Sequence, residues 1–270
     1  MGNTNPTGQP IGVFDSGIGG LSVLKALRAE LPQEDFVYVA DSGHAPYGER
    51  DDAFVIECSQ RITQHLRTQH HIKALVVACN TATAAAIDVL RQANPDLPII
   101  GVEPALKPAL AQSQTRRIGV LATRSTLDSA KFSALLASLA PQADFVCQPC
   151  DGLADAIERK DTSKIIALCA DYIRATGQFG LKDGQIDTLV LGCTHYPFAS
   201  DELRNLVGPD VHLIDNGAAV AQQTRRVLRE LQPHRHTGHC LLLSTGDGKH
   251  LQRAARHWLQ LDVPVQSLAL

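Results

Sequence analysis

The chain has 270 residues, 44% of them hydrophobic, enough to bury a sizeable core in one large or two modest domains. A formal charge of −3 and a pI near 6.4 exclude a general positive field for nucleic acid or an anionic membrane surface. No apolar run approaches the roughly 18 residues of a membrane span, and seven scattered cysteines read as free thiols in a reducing cytoplasm, not as a disulfide framework.

The N-terminal MGNTNPTGQP lacks a basic and an apolar leader region and is expected to be a short disordered tail over residues 1–10. Apolar runs without period-2 alternation then follow at IGVFD (11–15), FVYVAD (36–41) and ALVVACN (74–80), the pattern of strands buried on both faces of a parallel sheet. Between them Leu24, Leu27 and Leu31 keep a helical face, as do Phe54, Cys58, Ile62 and Leu66. The class is α/β.

The second half repeats the order with IGVLAT (118–123), DFVCQP (144–149) and TLVLGCT (188–194). Ile11, Phe36 and Cys79 meet their counterparts Ile118, Phe145 and Cys193 at nearly constant separation, the mark of an internal duplication. Two pseudo-symmetric lobes are expected, each a mostly parallel sheet flanked by helices. The prolines of IIGVEPALKP (99–108) mark one crossing, and VHLID after GPD (208–210) is expected to return the chain to the first lobe. A helix over about 218–231 and CLLLSTG would complete that lobe, giving 1–103 plus 210–270 and 104–209.

Ligands of open α/β sheets bind beyond the carboxyl ends of the strands. Cys79 and Cys193 hold the same place at the end of the third strand of each half, so a ligand in an interlobe cleft would meet one thiol on either side. The neighbouring loops suit an amino acid. Asp15 and Ser16 stand at a glycine turn opening a helix, where free N–H groups favour a carboxylate. Tyr47 and Gly48 lie in a loop long enough to fold over a ligand, and Asn80, Thr81, Thr83, Thr194 and His195 adjoin the cysteines. His195 is placed to stabilise a thiolate. Two opposed thiol acid/base groups serve removal of a proton from one face of a carbon and its return on the other, which is racemisation.

Competing signals are weaker. Cys147 and Cys150 form a C-x-x-C pair suited to redox exchange. His234, His236, His239 and Cys240 are formally enough for zinc, without a second cluster, and a solvated loop is the expectation, with no metal. GDGK (246–249) lacks the flanking residues of a P-loop. A two-lobed carboxylate sensor would use the cleft but not both thiols, and no lysine context marks a Schiff-base residue for pyridoxal phosphate.

DSGIGGLSVL, PYGER, ACNTAT and GCTHYP, in that order, resemble the glutamate racemases of the aspartate/glutamate racemase family over about Ile11 to Leu231. The resemblance implies two α/β lobes and cofactor-independent interconversion of L- and D-glutamate, in the cytoplasm, for bacterial peptidoglycan, cell-wall biogenesis and cell shape. It makes Cys79 and Cys193 the catalytic acid/bases, with Asp15 and His195 assisting. Substrate binding falls to Asp15, Ser16, Tyr47, Gly48, Asn80, Thr81, Thr194 and His195, with Thr123 as a further holder of substrate. Glu158 in ADAIERKD matches a family acidic residue, although that segment departs from the usual Val-Glu-x-Gly pattern. Glutamate is the expected small-molecule partner; no nucleic acid, membrane or cofactor is expected, and a homodimer is left open.

Overall fold

A computed structural model describes residues 8–228 and 238–270. The chain divides into two compact units, residues 1–102 with 217–270 and residues 103–216. In the first, β1 (Ile11–Asp15), α1 (Leu21–Glu30), β2 (Phe36–Ala40), α2 (Asp52–His70), β3 (Ala74–Val77), α3 (Asn80–Ala93) and β4 (Ile99–Gly101) alternate. Every residue of β1, β2 and β3 is buried, as strands covered by helices on both faces must be. Residues Phe14, Val39 and Val77 face Ile62, Leu66, Ala86 and Leu90 of α2 and α3 in one apolar cluster. Asp51 caps α2 by accepting from the Phe54 amide at 2.8 Å.

The second unit runs α4 (Leu106–Gln112), β5 (Arg117–Ala122), α5 (Arg124–Asp128), α6 (Ala130–Leu139), β6 (Asp144–Pro149), α7 (Leu153–Arg159), α8 (Thr162–Thr176), β7 (Thr188–Gly192), α9 (Ser200–Val207) and β8 (His212–Ile214). Alternate strand residues serve opposite faces: Leu121, Leu189 and Leu191 pack with α7, α8 and α9, while Ile118, Val120 and Val190 pack with α4 and α6. The chain then completes the first unit with α10 (Gly217–Val227), β9 (Cys240–Ser244), α11 (Gly248–Leu259) and β10 (Val265–Ser267). His234 and His236 and residues 1–7 of the expected tail lie outside the described residues. Among the described residues no helix is long and apolar enough to cross a membrane.

The sheets are wholly parallel, ordered β10-β9-β2-β1-β3-β4 and β6-β5-β7-β8. The order β2-β1-β3-β4 recurs as β6-β5-β7-β8, and so does the register. Ile11 pairs with Phe36 and Ala74 where Ile118 pairs with Phe145 and Thr188, and Leu75 pairs with Ile99 where Leu189 pairs with Leu213. Gly12 and Gly119 are equivalent and share a reason: a Cβ on either would stand 2.9 Å from a packed side chain, Ile72 or Leu189.

Two expectations are corrected. VHLID does not return to the first unit, because His212–Ile214 pairs with β7 as the fourth strand of the second sheet. The return comes at residues 216–217, not 210. A three-residue apolar strand carries too little pattern to say which sheet it joins, and here the ladder with Thr188–Val190 decides. DFVCQP is not buried on both faces either: β6 is an edge strand with no fully buried residue.

Candidate active site

In each unit the chain steps from the first strand to a neighbour on one side (β2, β6) and then crosses to the other side (β3 and β4, β7 and β8), so β1/β3 and β5/β7 are the switch points beyond whose strand ends ligands of such sheets bind. Asp15 and Cys79 flank the first. β3 ends at Val77, shorter than the sequence pattern, and Cys79 is the N-cap of α3, its sulfur accepting from the Ala82 amide at 3.5 Å. A helix N-terminus attracts negative charge, so the local fold suits this sulfur to carry it.

Asp15 is fully buried and occupies the N–H cradle of its own glycine turn. It accepts from the Ser16 amide at 2.7 Å and from the Gly20 amide. Gly20 is required there, since a Cβ would lie 2.6 Å from Asp15 Cβ and 2.8 Å from the Tyr38 hydroxyl, which itself donates to Gly17 O at 2.7 Å. The Ser16 hydroxyl donates to Asp15 Oδ1 at 3.3 Å and stands 4.0 Å from Cys79 Sγ. Carboxylate, hydroxyl and thiol thus form a chain, Asp15–Ser16–Cys79.

The rest of the first-unit set gathers at the same strand ends. Asn80 and Thr81, both buried, begin α3, with Asn80 Nδ2 at 3.5 Å from Val102 O. Thr83 accepts from the Val102 amide at 3.0 Å and bonds to Val77 O at 3.3 Å, which ties α3 to the exits of β3 and β4. Tyr47 is buried and Gly48 half-buried in a turn over 47–49 that follows the cis Ala45–Pro46 peptide. Burial, then the adjacent Asp41 carboxylate, push the Tyr47 phenol far above its ordinary range, so its hydroxyl keeps its proton and donates to Asp41 Oδ2 at 2.5 Å.

Cys193 follows β7 and Thr123 follows β5. Because Ala122 pairs with Gly192, the two leave adjacent strands one residue later. Thr123 caps α5, accepting from Thr126 N at 3.2 Å, and Thr194 beside Cys193 is buried. His195 Nδ1 lies 3.8 Å from Cys193 Sγ and its Nε2 2.7 Å from Glu158 Oε2 on α7. Burial alone would lower the His195 pKa, but Cys193 and Glu158 on its two nitrogens raise it well above the ordinary value. When protonated, the ring can donate both ways, which makes Glu158–His195–Cys193 the counterpart of Asp15–Ser16–Cys79.

Burial pushes the Cys147 thiol up to about 11 and raises its C-x-x-C partner Cys150 as well, withholding the thiolate that such exchange needs. Asp247 of GDGK caps α11 by accepting from Lys249 N at 2.9 Å. Among the described residues, Asp41, His44 and Cys58 bring ligand atoms within 4.8 Å of one another. The Asp41 carboxylate there is already engaged by Tyr47, His44 and Thr245. Sequence reasoning missed Asp41. The available signal was a second Asp-Ser-Gly, residues 41–43 just past β2 repeating residues 15–17 at the end of β1, both aspartates fully buried.

Each half of this duplicated α/β scaffold thus carries a thiol in a hydrogen-bonded chain beside its switch point. The family profile described as Asp/Glu/Hydantoin racemase matches residues 11–224, and the chain belongs to that family, an isomerase. It is 46% identical to the glutamate racemase of Cupriavidus pinatubonensis over 275 aligned positions, 100% of this chain and 98% of that one. It is 48% identical to that of Ralstonia pickettii, covering 90% and 85%. The glutamate racemase structure from Bacillus anthracis superposes with a TM-score of 0.85 at 30% identity, covering 97% and 98%. The Escherichia coli enzyme in complex with L-glutamate and the activator UDP-MurNAc-ala gives 0.83 at 28%, with the same coverage.

Proposed function

We propose that the chain is a glutamate racemase working by two-base proton transfer at Cα, with Cys79 and Cys193 as the acid/base pair. The observation that supports it is that two register-equivalent thiols each end a carboxylate–relay–thiol chain, Asp15–Ser16–Cys79 and Glu158–His195–Cys193. One sulfur starts as thiolate and takes the Cα proton. The other starts as thiol and delivers a proton to the opposite face, and the two exchange states when the direction reverses. Protonated His195 balances negative charge on Cys193, while Ser16 passes a proton between Cys79 and Asp15.

Without an electron sink, the carbanion beside the carboxylate is stabilised by fixed donors. The Tyr47 hydroxyl, the Gly48 amide, Asn80, Thr81, Thr123 and Thr194 are assigned to hold the substrate carboxylates and amine. The D-glutamate formed would supply peptidoglycan synthesis in the cytoplasm. The test follows purified protein with either glutamate enantiomer in deuterium oxide. Loss of optical rotation with deuterium appearing at Cα is expected; binding of glutamate with neither would end the proposal.

A further inference from the structure

The segment Ser244-Thr245-Gly246, which opens the GDGK stretch, lies against the loop that carries Tyr47. β9 pairs with β2 up to Ala40 and Ser244, and the Thr245 amide donates to Ala40 O at 3.1 Å. The Thr245 hydroxyl then donates to Asp41 Oδ1 at 2.6 Å and accepts from the Gly43 amide at 3.0 Å. Backbones meet directly here: a Cβ on Gly43 would stand 2.8 Å from Thr245 O, and one on Gly246 would stand 3.0 Å from Gly43 N. The fully buried Asp41 also takes His44 Nδ1 at 2.8 Å on Oδ1 and the Tyr47 hydroxyl at 2.5 Å on Oδ2. One carboxylate therefore ties the start, middle and Tyr47 end of the loop to the exit of β9.

We propose that Thr245 is a positioning residue for the substrate: its hydroxyl fixes Asp41 and Gly43, and through them the Tyr47 hydroxyl and Gly48 amide. The inference rests on the racemase reading for what the loop holds. It does not rest on it for the bracing. The Thr245 hydroxyl holds one carboxylate and one amide of the same loop, so deleting it loosens a loop assigned to binding and leaves both thiol chains intact.

Thr245→Val keeps the shape and removes the hydroxyl; Thr245→Ser keeps the hydroxyl. The valine variant is expected to raise KM for both glutamate enantiomers about tenfold, the size of one lost charge-assisted hydrogen bond, with kcat changed by less than about threefold. The serine variant should restore KM, and amide hydrogen exchange over residues 43–50 should quicken in the valine variant while β1 and β3 stay protected. Wild-type KM and exchange in the valine variant, a fall in kcat alone, or faster exchange throughout the unit would each overturn the proposal. Should the valine variant not fold, Thr245→Ala is read by the same criteria. If the unaltered chain does not racemise glutamate, the functional reading falls, and an unquickened loop in the valine variant would remove the bracing as well.

Discussion

The surroundings of Cys79 and Cys193 share a backbone plan and differ in nearly every side chain. Asp15 ends β1, and its register equivalent at the end of β5 is Ala122; Asp41 N donates to Asp15 O where Cys150 N donates to Ala122 O. The first unit therefore draws its carboxylate from the strand end and relays it through a hydroxyl. The second, lacking one there, takes Glu158 from α7 and relays it through an imidazole. Deeper in the sheets the same divergence appears at equivalent positions 73 and 187. Lys73 meets Glu34 in a buried ion pair, while Asp187 accepts from the Ser113 hydroxyl at 2.7 Å and from the Gln114 and Thr115 amides at 2.6 and 2.9 Å. A repeated fold preserves where groups stand and leaves their chemistry free: the two thiols meet different partners, a hydroxyl and an imidazole.

The largest test removes one thiol at a time. Cys79→Ala and Cys193→Ala should each cut racemisation by about 10²–10⁴-fold, the span of a positioned acid/base group, as followed by optical rotation. Near-normal turnover in either would remove that cysteine from the mechanism.

Next come the buried charges that differ between the halves. Lys73→Met should destabilise the chain by about 3–5 kcal/mol by stranding Glu34, and Glu34→Leu added to it should recover most of the loss. Denaturant melts read both. At position 187, burial would raise the carboxylate pKa, but Ser113, Thr115 and Gln114 overcome it and hold the group below its ordinary range. The folded state thus binds fewer protons than the unfolded one. The resulting stability is fully present above roughly pH 4 and is lost as pH falls through the lower folded value. Asp187→Asn should flatten that acid-side loss and cost about 1.5–3 kcal/mol at neutral pH. An unchanged acid melt would show that Asp187 contributes nothing to it.

The smallest effect concerns the relay itself. Glu158→Gln removes one of the two groups that raise His195, so the ring should titrate at lower pH by NMR. Activity should fall by about tenfold, less than for loss of a thiol because Glu158 acts through another residue. An unmoved His195 titration would detach Glu158 from the Cys193 chain.

Much of this was legible in the chain because it is local. Asp15, Ser16, Asn80, Thr81, Thr194 and His195 adjoin strand ends that announce themselves as apolar runs, so the motif residues of each half fall beside its thiol. Glu158 was harder: it stands 37 positions from His195 in sequence, on a helix whose motif departs from the family pattern, and only packing brings it to the ring. Thr245 is separated from Asp41 by 204 positions, which no periodicity spans. Its segment read as a failed phosphate loop.

The sequence by itself determined the α/β class, the duplication and the matching places of Cys79 and Cys193. Buried parallel strands must be continuously apolar, and a repeated order of such runs is visible without coordinates. Tertiary structure decided that His212–Ile214 joins the second sheet, that β6 is an edge, and which carboxylate stands in the hydrogen-bonded chain of each thiol. Those outcomes depend on hydrogen bonds between residues distant along the chain, and such partners are chosen by packing, not by neighbouring residue types.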